Sequence, residues 1–430
     1  MQQVWKSFVN NGAWRLLRTR DLGLLWLGEL ISQIGDSLNR VALLWLVYEM
    51  SGSALKMSLV GILQTLPPLL LSPLLGVYLD RLRKKPTMLI VNALHGLLVA
   101  SLPLLYGFKL LNLELLYVLV LVISVVATMF GPALLTSIPL IVRNSELVAA
   151  NALIQSTAFL GVLIGPVVAG LGVSWFGIAN LLYIDAASFL VAMLCTAFVR
   201  IPEDKPERLP LRPYEIMGDL REGLVYLFRE QVGLLFFTLV AGFQNIGASA
   251  FVFILPAFVE EEFARGVAWL GVFWSALGAG MLLGSVSIAL IGPSQGRRMV
   301  RLAQLALALG GVAVGALAFI RLPLAAAALM VVVGWGAAAF NPVVIALIQK
   351  GTPENLQARV LSAFNTTTMA AAMGGMAGFG WVADHVGRDA SMVGIGGVLL
   401  ATALSLAVVA RLRPARRVLK LATSDRYPQP

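Results

Sequence analysis

Long apolar runs, each close to the length of a bilayer crossing, alternate with short polar loops over almost the whole of this chain. A crossing helix needs about 20 mainly apolar residues. Twelve runs meet that need, near residues 22–48, 55–79, 87–108, 113–141, 148–173, 178–199, 233–258, 266–291, 299–320, 324–349, 358–383 and 391–411. A soluble globule cannot bury so much. The chain is 59% hydrophobic and 13% charged, whereas soluble domains run at roughly 45–50% and 25%. Lipid must take up the surplus. The sequence therefore predicts an all-α integral membrane protein of twelve transmembrane helices.

The longest polar stretch, 200–231, follows the sixth run and is rich in charge and proline (IPEDKPERLPLRPYEIMGDLREG). It divides the chain into a six-helix bundle over 1–199, a central loop over 200–231, a second six-helix bundle over 232–411 and a tail over 412–430. The basic residues set the orientation. Alternate loops and the two termini hold 26 Lys and Arg, the remaining loops five, and Arg40 lies within a span. Basic loops stay in the cytoplasm, so both termini and the central loop are expected there, in a cell inner membrane. The same distribution accounts for the net charge of +10 without a nucleic-acid partner, since the charges build no single patch.

Other classes fall away on residue types. One cysteine, Cys195, and two histidines, His95 and His385, leave no disulfide framework and little for a metal site. No GxxxxGK[ST] loop is present, so ATP hydrolysis on this chain is not expected. No set of nucleophile, base and metal ligands marks an enzyme, and no cofactor is implied. The first 20 residues carry four basic side chains ahead of a run too long for a signal peptide.

The two halves resemble each other at an offset near 210. Gly23-Leu24-Leu25-Trp26 returns as Gly233-Leu234-Leu235-Phe236, and Gln33-Ile34-Gly35 returns as Gln244-Asn245-Ile246-Gly247 with a small slip. Phe130 and Pro132 match Phe340 and Pro342; Gly165, Gly170 and Gly177 match Gly375, Gly380 and Gly387. Two parallel six-helix repeats about a central loop are the layout of the major facilitator fold.

Local motifs resemble that superfamily too. Gly76-Val77-Tyr78-Leu79-Asp80-Arg81-Leu82-Arg83-Lys84-Lys85 is similar to its signature loop, with Arg83 at the usual glycine position. Gly161, Gly165, Pro166 and Gly170 resemble its antiporter motif. Thr352-Pro353-Glu354-Asn355-Leu356-Gln357-Ala358-Arg359-Val360, with Leu24-Leu25-Trp26-Leu27-Gly28 and Gly35-Asp36, is similar to the branch that holds enterobactin exporters and macrolide-efflux proteins. The resemblance implies gating roles for Gly76, Asp80 and Arg81, with Asp80 latching a helix N-terminus of the other half. The basic cluster beside it also serves as a membrane anchor. The resemblance likewise implies a tight interface between halves at the antiporter glycines, although small residues at this spacing also serve ordinary helix packing.

Charges inside the spans carry the chemistry. A charged side chain at mid-span costs about 2.5–3.5 kcal/mol on insertion scales and is a functional candidate. The first span holds three, Glu29, Asp36 and Arg40. With Gln33 they fall within roughly 60° on a helix turning about 100° per residue, one stripe roughly 16 Å long. Asp36 and Arg40, four apart, can pair. The stripe reads as a proton-coupling site or as a packing pair. Asp185 in the sixth span is a second buried acid, for which Tyr183 or a first-span residue is the expected partner and a structural role is favoured. His95 reads as a core residue. In the second half the candidate substrate-cavity residues are Gln244, Asn245, Trp335, Phe340, Asn341 and Asn365, and Phe130, which matches Phe340 in the repeat, joins them from the first half. Met369, Met373 and Met376 add a soft wall that suits a bulky amphipathic ligand.

These features point to a monomeric, proton-coupled exporter whose partners are the bilayer, a small-molecule substrate and protons. A lysophospholipid or lipid translocator and a non-transporting membrane receptor of the same fold are the other readings.

Overall fold

The computed structural model describes residues 13–79, 82–143, 146–202, 225–227, 231–263, 267–291, 296–353 and 356–412. Most of the central loop and all of the tail beyond Leu412 lie outside the described residues. Among the described residues fourteen helices follow one another in chain order: α1 (Ala13–Leu17), α2 (Arg20–Ser51), α3 (Ala54–Leu79), α4 (Lys84–Gly107), α5 (Leu113–Thr128), α6 (Phe130–Ile141), α7 (Leu147–Phe176), α8 (Ile178–Phe198), α9 (Val232–Phe263), α10 (Val267–Ile291), α11 (Gly296–Leu317), α12 (Pro323–Gly351), α13 (Gln357–His385) and α14 (Arg388–Val409). With α5 and α6 counted as one broken helix, a helix covers each of the twelve predicted runs, each end within five residues of the expected position. The break falls at Met129. Pro132 has no N–H to give the Thr128 carbonyl four residues back.

Nine of these segments are long and apolar enough to cross a membrane by length and composition. The others are α2, α7 and α13. In α2 the charges of the stripe interrupt the apolar run, and in α13 Asn365 and three following threonines do so. Large apolar side chains lie open on the outer surface, among them Leu97, Leu194, Leu283 and Phe319. In water such a surface would be a liability, and in acyl chains it is ordinary.

The helices gather into two compact units. The first holds the helices up to Leu46 and from Leu66 to the end of α8. The second holds Val47–Thr65 and the helices from α9 onward. Within the first unit α4 packs on α8 and on α6, and α7 packs on α8. Within the second, α11 packs on α14 and on α12, and α9 packs on α13 and α14. The pairs α4–α8, α4–α6 and α7–α8 return as α11–α14, α11–α12 and α13–α14, and the glycine matches mark a further repeated crossing. Gly165 of α7 lies against Ser37 of α2, and Gly375 of α13 lies against Ile246 of α9. Gly177 and Gly387 both sit in the left-handed region, at φ 76° and 121°, and turn the chain directly into α8 and α14. A side chain with Cβ is strained at such angles.

Each unit has its own apolar core. The first gathers Leu22, Leu25, Met88, Leu134, Ile138 and Ile154. The second gathers Phe237, Phe340, Val344, Ile348, Phe364 and Leu406. The Lys85 ammonium donates to the Ala197 and Val199 carbonyls at 2.8 Å each, so a cation of the signature-like loop closes the C-terminus of α8. That is the placement the helix dipole favours.

Candidate functional site

The candidate residues of span one are placed by what each of its faces meets. The face that carries Gly28 and Gly35 is small, and α8 comes close to it. A Cβ at Gly28 would stand 3.1 Å from the Cys195 Cβ, and one at Gly35 would overlap Asp185 and Ser188. That approach brings Asp185 to Asn39, whose Nδ2 donates to Oδ2 at 2.7 Å. Ser188 Oγ donates to the other oxygen at 3.3 Å. Asp185 is 0% exposed, and these bonds are what a buried carboxyl requires. The partner is thus a first-span residue, while Tyr183 points to the open surface. Asn39 and Ser188 had drawn no attention in the sequence. Their signal was positional: Asn39 follows Gly35 by four residues, and Ser188 follows Asp185 by three.

A second face of α2 meets α7. Gly161 lies against Gln33, and Gly165 against Ser37. The Ser37 hydroxyl donates to the Gly161 and Gln33 carbonyls, 3.0 Å from each. Trp26 Nε1 reaches Ser156 Oγ at 3.3 Å. Nothing is assigned to the side chains at Pro166 and Gly170, which lie within α7 but outside the described side chains.

The polar stripe lies beside these contacts. Gln33 Nε2 donates to Glu29 Oε1 at 2.8 Å, and Glu29 Oε2 is buried with no hydrogen-bond partner. Asp36 is half-buried and Arg40 is exposed. The direct Asp36–Arg40 ion pair that their spacing allows is not formed. Ion pairs between described residues include Arg15–Glu146 at 2.6 Å and Arg321–Asp389 at 3.1 Å, both at the surface. The Arg15 bond holds the Glu146 carboxyl below the usual glutamate range. His95 is buried and stacks on Phe189, with ring centroids 3.9 Å apart.

In the second unit the candidate residues separate. Gln244 of α9 is buried with Oε1 unpartnered, and Asn245 donates to the Ala241 carbonyl at 2.9 Å. Asn341 and Asn365 are exposed. Trp335 is half-buried and donates from Nε1 to Ser287 Oγ at 2.8 Å, joining α12 to α10. Phe340 is 0% exposed and belongs to the apolar core of this unit, so it lines no cavity in this conformation. Phe130 of the first unit is half-buried against that unit's core. Gly76 lies in α3 outside the described side chains, and Asp80 and Arg81 lie outside the described residues altogether. An open groove of about 800 Å³ in the first unit lies at the basic end of α2, around Arg18, Arg20, Leu24, Leu27 and Phe198, and does not include the stripe. No cluster of metal-ligating side chains occurs among the described residues.

Duplicated helical bundles, apolar outer surfaces and acids held within a span define a polytopic membrane transport fold. The chain belongs to the Major Facilitator Superfamily, whose sequence profile matches residues 25–376. It is 28% identical over 413 residues to the Multidrug efflux pump Tap of Mycolicibacterium fortuitum, covering 93% of this chain and 97% of that one. It is 24% identical over 273 residues to the Macrolide efflux protein A of Streptococcus pyogenes, covering 64% and 67%. Among solved structures, the nucleoside transporter NupG superposes with a TM-score of 0.70 at 14% identity, over 92% of this chain and 100% of that one. A bacterial homolog of the human lysosomal transporter Spinster does so at 0.67 and 13%, over 96% and 99%. These structural likenesses establish the fold.

Proposed function

We propose that this chain is a proton-coupled antiporter that exports bulky amphipathic small molecules, such as drugs, macrolides or siderophores, across a cell inner membrane. It works as a monomer with both termini in the cytoplasm. The observation that carries the reading is Asp36, a half-buried acid at mid-span on α2 that makes none of the hydrogen bonds tying that span to α7 and α8. Dry surroundings favour a neutral carboxyl, and water or a nearby cation favours the charged form. An acid whose access to water changes as the transporter cycles therefore takes up a proton on one side and releases it on the other. Glu29 and Gln33 extend the polar stripe, and Arg40 is the cation one turn away. The aligned positions of the second half, Ala248 and Val252, carry no charge, which favours coupling in the first half. The names of the two efflux relatives support export and the substrate class.

The test is Asp36→Asn in proteoliposomes, with erythromycin and ethidium as cargo and a trapped pH dye as the proton readout. The variant is expected to insert and bind cargo but to lose proton-linked transport. Uphill transport with unchanged proton stoichiometry would remove Asp36 from the coupling role. Failure to fold would make it a structural residue.

A further inference from the structure

The turn between α2 and α3 is held by residues more than three hundred positions away. Gly52 turns the chain at φ 61°, and Ser53 precedes the first turn of α3. The opening N–H groups of a helix have no acceptor within it. Here Ser53 Oγ takes the Lys56 N–H at 3.1 Å. Two more are taken by Asp384, in the last turn of α13. Its Oδ1 accepts from the Ala54 nitrogen at 2.8 Å and its Oδ2 from the Leu55 nitrogen at 3.3 Å, while the Ser53 hydroxyl also donates to Oδ2. A carboxylate at a helix N-terminus makes charge-assisted bonds, about twice as strong as neutral ones.

Arg388 holds the same turn from the other side. Gly387, in its left-handed conformation, sets Arg388 at the head of α14. Its guanidinium donates to the Gly52 carbonyl at 3.4 Å and the Ala257 carbonyl at 3.3 Å, and lies 5.4 Å from the centre of the Tyr48 ring. Below the turn, Gly380 fits against Leu55 and Ser58, and Gly61 against Phe253 and Met376. These contacts place Val47–Thr65 in the second unit, although both helices otherwise belong to the first. In α3 the passage from one unit to the other falls at Thr65, and Pro67 and Pro68 follow at once. Two prolines delete two intrahelical bonds, so α3 is weakest where it changes units.

We propose that Asp384 and Arg388 form a latch that fastens the Val47–Thr65 arm to the second unit, and that its release, with bending at Pro67-Pro68, frees the arm to move with the first unit during transport. With the termini in the cytoplasm, the latch lies on the outer face of the membrane. That assignment of face rests on the orientation proposed above.

The experiment reads the arm and not transport. Ser58 is fully buried one turn beyond the latch, and Ser58→Cys in a Cys195→Ala background makes it a reporter for a membrane-impermeant maleimide in right-side-out vesicles. Asp384→Asn and Arg388→Gln are each expected to speed labelling roughly tenfold, the change a 1.4 kcal/mol shift produces. Lys109→Gln, on another loop, leaves the rate unchanged. So does a second reporter, Thr402→Cys, buried in α14, which a general loosening of the unit would expose. Equal Ser58→Cys rates with and without the latch residues overturn the proposal, and so does parallel acceleration at Thr402→Cys. Acceleration confined to inside-out vesicles upholds the latch and overturns the orientation. If Asp384→Asn yields no folded protein, Arg388→Gln, which leaves the carboxylate and its backbone bonds in place, decides alone.

Discussion

Replacing Asn39 by Ala removes the donor that holds Asp185, and with it the polar tie between α2 and α8. Asp185 is fully buried; it would lose its 2.7 Å bond and keep only Ser188, at 3.3 Å. An unsatisfied buried acceptor costs about 1–3 kcal/mol. Bonds between membrane helices average about 0.6 kcal/mol, because the unfolded chain in a membrane also finds partners. Asn39 is only half-buried, so little packing is lost with it. The expected destabilisation is about 1–2 kcal/mol, read by unfolding in detergent micelles titrated with dodecyl sulfate. Asp185→Ala should cost a similar amount, and the double variant less than the sum, with a coupling of about 1 kcal/mol. Coupling below about 0.3 kcal/mol, the ordinary scatter of independent sites, would refute the tie. Asp185→Asn should be tolerated, since its amide oxygen accepts from Asn39 and its amino group donates to Ser188. If that variant folds normally but loses proton-linked transport, the structural assignment of Asp185 fails.

Gly334→Ala should destabilise the second unit by about 1–3 kcal/mol in the same assay, because the new methyl meets the Leu277 backbone, which no rotamer change can move aside; Gly374→Ala, with open space at its Cβ, should be neutral or stabilising. Arg15 keeps the Glu146 carboxyl below its usual range, so the bond supports α1 above the ordinary glutamate value of about 4.3 and is lost as pH falls through the lowered one. Glu146→Gln should therefore speed hydrogen exchange over Ala13–Leu17 at neutral pH, and an unchanged rate would show that the bond does not order α1.

The sequence made the spans and the duplication legible because both leave strong marks. Apolar length gives the spans, and small residues at close crossings survive as glycine matches such as Gly165 with Gly375. Side-chain partnerships left weaker marks. Asp185 stood out as a buried acid, but its partner was a neutral Asn39, which resembles any tolerated polar residue in a span. Phe340, beside Pro342, read as a cavity aromatic and lies fully within the core. Whether an aromatic ring lines a void depends on the spacing between helices, which periodicity does not report. Asp384 sits near a helix end, within no motif. Its partners Ala54 and Leu55 lie 330 and 329 residues away in sequence, and nothing local announces them.

The arrangement around α2 separates two jobs that the sequence had left together. Taking Gly28 as origin and about 100° per residue, Gly35 and Asn39 fall within about 20° of it, on the line that meets α8. Gln33 and Ser37 lie near 140° and 180°, on the line that meets α7. Asp36 and Glu29 lie near 80° and 100°, between the two. A carboxyl that served only as glue would hold a bond across one of those contacts, as Asp185 does with Asn39. Asp36 makes no hydrogen bond or ion pair with another described residue, and it remains half-buried. The hydrogen bonds that tie α2 to α7 and α8 are thus made without Asp36. An acid kept in a span at a cost of about 2.5–3.5 kcal/mol, without a hydrogen bond across either helix contact, is what the proposed coupling role requires, and the Asp36→Asn experiment decides it.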